Sequence, residues 1–308
     1  MSIEFLIKHM SLEEKASLMS GADFWHTKAV ERLGIPAAMM SDGPHGLRKV
    51  VTTAKTPDGN SVPATCFPTA SALANSWDEA LVEQTGKLLG IEAANENVCM
   101  VLGPGLNIKR DPLCGRNFEY FSEDPFLAGK LAAAMVRGIQ SEGLYACPKH
   151  FAANSQEHLR MTVDSVVDER TLREIYLPAF ETAVKEGGAK CVMSSYNRLN
   201  GIYSSENEHL LRDILYGDWG FSGMVVTDWG GSNDYVEGVR AGMNLEMPAA
   251  GDDSPLQLIK AVKEGRISED IVNQRVDELL DRVLQERPKT GPVDENARHR
   301  AILEAAEK

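Results

Sequence analysis

Short apolar, β-rich runs alternate along this chain with longer stretches whose apolar residues recur at helical spacing. The runs are residues 35–40, 98–102, 145–148, 190–194, 224–227 and 243–247. Between them, 124–141, 169–186 and 206–216 read as amphipathic helices. The clearest helix comes near the end, where Val272, Val276, Leu279, Leu280, Val283 and Leu284 make a single apolar stripe. That stripe predicts a helix sealing the outside of a sheet. Alternation of strand and helix predicts a parallel sheet, because each parallel crossover needs a long connection. A further run at 65–68 brings the strand count to about seven. The expected fold class is therefore α/β, a TIM-type (β/α)8 barrel that is irregular or short of one regular strand.

The 308 residues suit one such barrel of roughly 250 residues plus a tail. Residues 1–287 are assigned to the barrel domain and 288–308 to a linker and terminal helix. After Arg287 the composition changes to PKTGPVDEN, punctuated by Pro and Gly, before a last helical pattern at 297–307. Two continuations stay open. The helix docks back on the barrel, or the tail leads toward another domain that this chain does not contain.

Hydrophobic content of 43% with 25% charged residues is that of a soluble globular protein. No segment approaches the roughly 18 apolar residues of a membrane span. Net charge is −13, from 45 acidic and 32 basic residues, so nucleic acid and anionic membrane surfaces would be repelled. The start, MSIEFLIKHMSLEEK, offers only the run Phe5-Leu6-Ile7 before Lys8, too short for a secretory h-region, and a cytoplasmic location is expected. Cys66, Cys99, Cys114, Cys147 and Cys191 include no Cys-x-x-Cys pair and are expected to be reduced, mostly buried thiols. No metal or cofactor is expected.

The chemistry lies where apolar runs end. The string GFSGMVVTDWGG puts Asp228 at the exit of a strand, where a parallel barrel carries its reactive groups. Asp228 is a nucleophile candidate; its alternative is a cap for a helix beginning near Asn233. Trp229 beside it offers a flat apolar surface for a sugar ring. The run at 35–40 empties into Ser41-Asp42-Gly43-Pro44-His45-Gly46. Asp42 there can accept from ligand hydroxyls or cap a turn. The run at 145–148 delivers Lys149 and His150, with Arg160 on the next loop. The run ending at Ser194 leads to Tyr196, placed to donate to the nucleophile's carboxylate, and includes Met193, an apolar contact for a sugar or core filling.

Taken together, SDGPHGLR, GPGLNIKRDPLCGRNFEYFSEDP, KHFAANSQEHLRMTVDS, ERTLREIYLPAFE, VMSSYNRLNG and GFSGMVVTDW resemble the N-terminal barrel domain of glycoside hydrolase family 3, in its β-glucosidase branch. The resemblance covers essentially the whole chain. It implies a retaining exo-β-glycosidase in which Asp228 forms a covalent glycosyl-enzyme intermediate on a β-glucoside or short β-linked oligosaccharide. It also implies that Asp42, Arg116, Lys149, His150, Arg160, Met193, Tyr196 and Trp229 line the sugar site. Arg116 suits a hydroxyl and a carboxylate such as Glu119 at once.

In two-domain members of that family the general acid/base is a Glu on an α/β sandwich domain after the barrel. Single-domain members carry a His in a Pro-Gly-His-Gly type loop, which here reads Ala152-Ala153-Asn154-Ser155. His158, with Glu157 to orient it, is the nearest substitute. The chain alone is thus expected to lack its proton donor and to be weakly active or inactive. Rival readings are a sugar-binding half that needs a separate polypeptide carrying the acid/base domain, a β-xylosidase or N-acetylhexosaminidase specificity, and a Schiff-base aldolase using Lys149.

Overall fold

Period-two alternation in the apolar runs decides which side chains face which layer. The structure, a computed structural model, describes residues 2–50, 61–284 and 295–307. Its parallel strands are β1 (Met40–Asp42), β2 (Met100–Leu102), β3 (Tyr145–Ala146), β5 (Cys191–Ser194) and β8 (Met224–Thr227). Three short strands, β4 (Asp164–Ser165), β6 (Arg198–Leu199) and β7 (Ile202–Tyr203), make a separate small sheet. Strands β1, β2 and β3 pair in that order, and β5 pairs with β8 with Cys191 opposite Met224.

Irregular bonds extend this path. Lys149 N–H reaches Pro104 O (3.0 Å), and Leu106 N–H reaches Lys149 O (2.7 Å). Met193 N–H reaches Pro148 O (2.9 Å), and Phe151 N–H reaches Met193 O (2.7 Å), joining the exit of β3 to β5. The α/β class holds, but the described residues form short strands in small sheets and do not show a closed barrel, even the irregular or seven-stranded one expected. Of two further predicted strands, 243–247 is reduced to isolated parallel bridges, Leu245 to Val226 and Glu246 to Ser20, and 65–68 is absent. At 243–247 the Asn244 side chain replaces part of the ladder: its Oδ1 takes Val225 N–H at 2.7 Å. At 65–68 the Thr65 N–H donates to the Glu92 carboxylate at 3.1 Å instead of to a strand.

The helices follow their patterns with one recurrent change. Pro125–Gln140 is capped by Asp124, and Glu269–Val283 by Ser268, with Val272, Val276, Leu279, Leu280 and Val283 buried. The predicted helix at 169–186 is broken into Glu169–Thr171, a π-helical turn at Leu172–Tyr176, and Pro178–Lys185. Pro178 has no N–H to continue the α ladder, and Leu177 N–H bonds back five residues to Leu172 O. The 206–216 pattern is likewise π-helical, at His209–Asp218. Helix Glu295–Glu307 packs Ile302 against the core. Residues 288–294 of the expected linker, and the 287/288 boundary, lie outside the described residues.

The core divides along the strands' two faces. Val101, Ala146, Val192 and Val225 pack outward against the helices. Met100, Leu102, Tyr145, Cys147, Cys191, Met193, Met224 and Val226 fill the other, inner face with Leu245 and Met247. Each fully buried aliphatic side chain contributes about 1.5–3 kcal/mol, so a one-residue slip would invert both layers at prohibitive cost. The cysteines are free, but only Cys147 and Cys191 are buried, and Cys66 is exposed. The expectation that most would be buried is corrected: Cys66 is exposed, Cys114 is half-buried in a turn, and Cys99 is half-buried against the inner layer.

Candidate active site

Two residues beyond an inner-face apolar side chain, the exits of β1, β3 and β8 present a charge on that same face. Met40 leads to Asp42, Cys147 to Lys149, and Val226 to Asp228. The apolar inner layer therefore ends in a charged one, and alternation alone brings distant residues together.

Ion pairs order this layer. Lys149 Nζ donates to Asp42 Oδ1 at 2.7 Å and lies 3.9 Å from Glu119 Oε2. Arg116 Nε donates to Glu119 Oε1 at 2.5 Å, and its Nη2 lies 2.7 Å from His150 Nε2. The backbone of His150 is clamped from both sides by Asn107, which accepts its N–H at 2.8 Å and donates to its carbonyl at 2.9 Å. His150 Nδ1 is 3.2 Å from the Tyr120 hydroxyl. The Lys149–His150 and Phe151–Ala152 peptides are cis.

Asp228 is 8% exposed. Its Oδ1 accepts Trp229 N–H at 2.7 Å. Its Oδ2 is buried without a hydrogen-bond partner, with His150 Nε2 at 3.5 Å. Asp228 does not cap the next helix, Tyr235–Ala241; Asp234 does. Nor does Asp42 act as a turn cap alone, since its carboxylate holds Lys149.

The protonation states follow from burial and neighbours. Burial pushes the Asp228 carboxyl above its ordinary range, and Arg116 and Lys149 only partly offset this. Burial would also raise Asp42, but the Lys149 ammonium reverses the shift and holds it low. Lys149 is the mirror case: burial favours the neutral amine, yet Asp42 and Glu119 raise its pKa. A charged Lys149 is a poor Schiff-base nucleophile, which weakens the aldolase reading. Burial, with Arg116 and Lys149 nearby, drives His150 well below the usual imidazole range, so it is neutral. His45, from the same loop as Asp42, is pulled to about 4 by burial, and its Nε2 accepts Ala70 N–H at 2.9 Å.

The remaining candidates divide. The Tyr196 hydroxyl donates to the Trp229 carbonyl at 2.9 Å, and it also lies close enough to the Asp228 carboxylate to pull that pKa down while its own is raised. Arg160 lies 5.0 Å over the Tyr196 ring and pairs with Glu157 at 2.9 Å. That pairing removes the partner expected for His158, whose side chain is exposed. Met193 belongs to the inner core. Trp229 donates through Nε1 to Phe24 O at 2.8 Å and meets the Trp25 ring at 5.4 Å.

Sequence reasoning missed Asn107, Tyr120, Phe24 and Trp25. The adjacent aromatics in GADFWH were the one visible signal for the last two. A cavity of about 220 Å³ lies against Ala153, Ser155 and Gln156, but Asp228, Lys149 and Arg116 do not line it. Among the described residues, no group of three or more His, Cys, Asp or Glu is placed to hold a metal ion, and no helix is long and apolar enough to cross a membrane.

Residues 6–285 match the sequence model of the glycosyl hydrolase family 3 N terminal domain. The thermostable beta-glucosidase B of Acetivibrio thermocellus is 56% identical over 308 residues, an alignment covering 99% of this chain and 41% of that protein. An exo-alpha-(1->6)-L-arabinopyranosidase of Bifidobacterium longum is 47% identical over 283 residues, covering 91% and 37%. Beta-glucosidase 3B of Thermotoga neapolitana, solved in complex with glucose, superposes with a TM-score of 0.91 at 39% identity, covering 98% of this chain and 46% of that one. The chain thus spans less than half the length of each.

Proposed function

The chain belongs to glycosyl hydrolase family 3, and on that footing we propose that it is the nucleophile-bearing, sugar-binding part of a retaining exo-β-glycosidase of β-glucosidase type. One observation carries the chemistry: Asp228 Oδ2 is a buried carboxylate oxygen without a hydrogen-bond donor. It attacks the anomeric carbon as the aglycone oxygen departs, giving a glycosyl ester that water later hydrolyses. Asp42 and Lys149 hold ring hydroxyls, Arg116 and His150 flank the reacting carbon, and Trp229 with Tyr196 and Arg160 walls the ring. Met193 forms the apolar floor. The substrate is a β-glucoside or short β-linked oligosaccharide.

The departing oxygen needs a proton, and this site offers no obvious donor. Asp42 and Glu119 are ion-paired, and His150 is neutral with its Nε2 facing Arg116. These pairings support an acid/base supplied from outside this chain, on a separate polypeptide or a further domain. Its absence would lower the rate by roughly 10²- to 10⁴-fold for ordinary leaving groups, so the isolated chain turns over slowly.

An activated 2-deoxy-2-fluoro-β-glucoside needs no acid to depart. Incubation followed by peptide mass spectrometry should give a stable adduct on Asp228. An adduct on another residue, or none at saturating reagent, would sink this function.

A further inference from the structure

At the end of β8 away from Asp228, three N–H donors of charged side chains are buried without an acceptor: Arg275 Nε and Nη1, and Arg212 Nη1. Arg275 as a whole is 1% exposed. It comes from helix Glu269–Val283, and Arg212 from the π-helical segment His209–Asp218. Both guanidinium groups lie against one ring, with their central carbons 5.3 and 5.1 Å from the centre of Tyr216. Gly242 closes the space between them. A Cβ there would meet Tyr216 Cε2 at 3.0 Å, and both Arg212 Cδ and Arg275 Nη1 at 3.4 Å. Its φ of +128° is backbone that glycine adopts and other residues rarely do. The two arginines therefore converge on one spot.

Their charges are not matched there. Arginine stays protonated and can only donate, and among the described residues Glu278 is the one carboxylate bonded to either. Its Oε1 accepts Arg275 Nη2 at 3.0 Å, and its Oε2 accepts Asn244 Nδ2 at 2.7 Å. Asp213 and Asp277, next to Arg212 and Glu278 in the chain, are exposed. The Tyr216 face steadies guanidinium charge, but a ring is a weak acceptor for N–H hydrogens. A water molecule answers only part of the need. It would accept from the arginines, yet its own two hydrogens need acceptors, and those nearby are engaged. Gly242 O and Asn244 Oδ1 share the Tyr216 hydroxyl hydrogen at 3.1 and 3.0 Å, and Asn244 Oδ1 also takes Val225 N–H. Water also brings no charge to offset the second arginine. An anion only accepts, and it balances that charge.

We propose that Arg275 Nη1 and Arg212 Nη1 hold one small monovalent anion of the halide type, chloride in ordinary buffers, between helix Glu269–Val283 and segment His209–Asp218. Size favours a monatomic ion: where a single added carbon would touch three side chains, a phosphate or a carboxylate is too large. The Arg275 Nε hydrogen leaves from another edge of the guanidinium and is not assigned to the ion. Burial, with Arg212 adding to it, pulls the Arg275 pKa down against the opposing Glu278, and a bound anion relieves both effects. The site lies away from Asp228 and stands apart from the glycosidase function.

The test is thermal melting of the purified chain in rising sodium chloride, with sodium methanesulfonate at equal ionic strength as the control. That control anion has the same charge in a larger body. The wild-type melting temperature should rise by about 2 °C for each tenfold increase in chloride above its dissociation constant, bromide should substitute, and methanesulfonate should not. Arg212→Met should abolish the halide-specific rise, since it removes one donor and keeps the Arg275–Glu278 pair. A wild type with no halide-specific rise, or a rise of equal size in Arg212→Met, overturns the proposal. If Arg212→Met does not fold, wild-type crystals soaked in sodium bromide decide it alone. An anomalous peak between the two Nη1 atoms supports the anion, and a water there, or no peak, overturns it.

Discussion

Two buried charge clusters in this molecule solve opposite problems. At the strand exits, Lys149 and Arg116 face Asp42, Glu119 and Asp228, and the group left without a partner is an acceptor, Asp228 Oδ2. Beside the start of β8, Arg275 is 1% exposed and bonds Glu278 at 3.0 Å, and the atoms left without partners are donors, Arg275 Nε and Nη1. There the guanidinium groups of Arg275 and Arg212 lie 5.3 and 5.1 Å from the Tyr216 ring. An aromatic face tolerates a cation without a paired anion. A buried carboxylate with a free oxygen finds no such cushion. Its raised pKa expresses that burial.

The sharpest way to break this contrast is Asp228→Asn. Covalent labelling by the fluoro-glucoside should fall by about 10⁴-fold or more, while urea unfolding should show no loss of stability. A large drop in stability would mean that Asp228 holds the fold together as Arg275 does.

Next comes Lys149→Ala, which strands Asp42 and Glu119 without their shared cation. Removing one member of a buried pair costs about 3–5 kcal/mol, and labelling should weaken as well, so this change should register in both unfolding and kinetics. Arg275→Met should separate them. It leaves Glu278 near Asn244 only and should cost about 3 kcal/mol in unfolding, yet labelling of the folded protein should stay within about twofold. Equal damage to labelling would erase the distinction between the two clusters.

The subtlest test is pH. The Asp228 pKa is raised in the fold, so its nucleophilic anion forms only above the ordinary carboxylate range, near 3.9. Labelling should rise with pH through a limb displaced upward from that value. The linkage has the matching sign: with the folded pKa above the unfolded one, Asp228 favours the fold while protonated, and that contribution is lost as pH rises through the folded pKa. Asp228→Asn should flatten that fall. An acid limb at or below the ordinary value would contradict the burial effect.

The strand exits were readable because alternation is local: Met40 to Asp42 and Val226 to Asp228 each span two positions, and the sequence shows both ends. The reduction of the 243–247 strand to isolated bridges was not readable. At one ladder position Asn244 Oδ1 takes Val225 N–H, a side chain imitating a backbone, and composition gives no sign of it. Tyr120 was hidden for a related reason. Within NFEYFSEDP it reads as one more aromatic, and its contact is with His150, thirty positions away. Tyr196 was expected near Asp228 and is there, with its hydroxyl also on the Trp229 carbonyl.

The bond from Trp229 Nε1 to the Phe24 carbonyl joins positions 205 apart, and Ser20 meets Glu246 across 226. Contacts of such high order are slow to form, because the intervening loop must close before they stabilise anything. During synthesis the segment around Phe24 leaves the ribosome with no partner to fold against. At roughly 5–20 residues per second, it waits on the order of ten seconds or more for Trp229. Until then an aromatic pair, Phe24 and Trp25, stands open to solvent, a natural handle for a chaperone and a natural seed for aggregation when synthesis outruns folding.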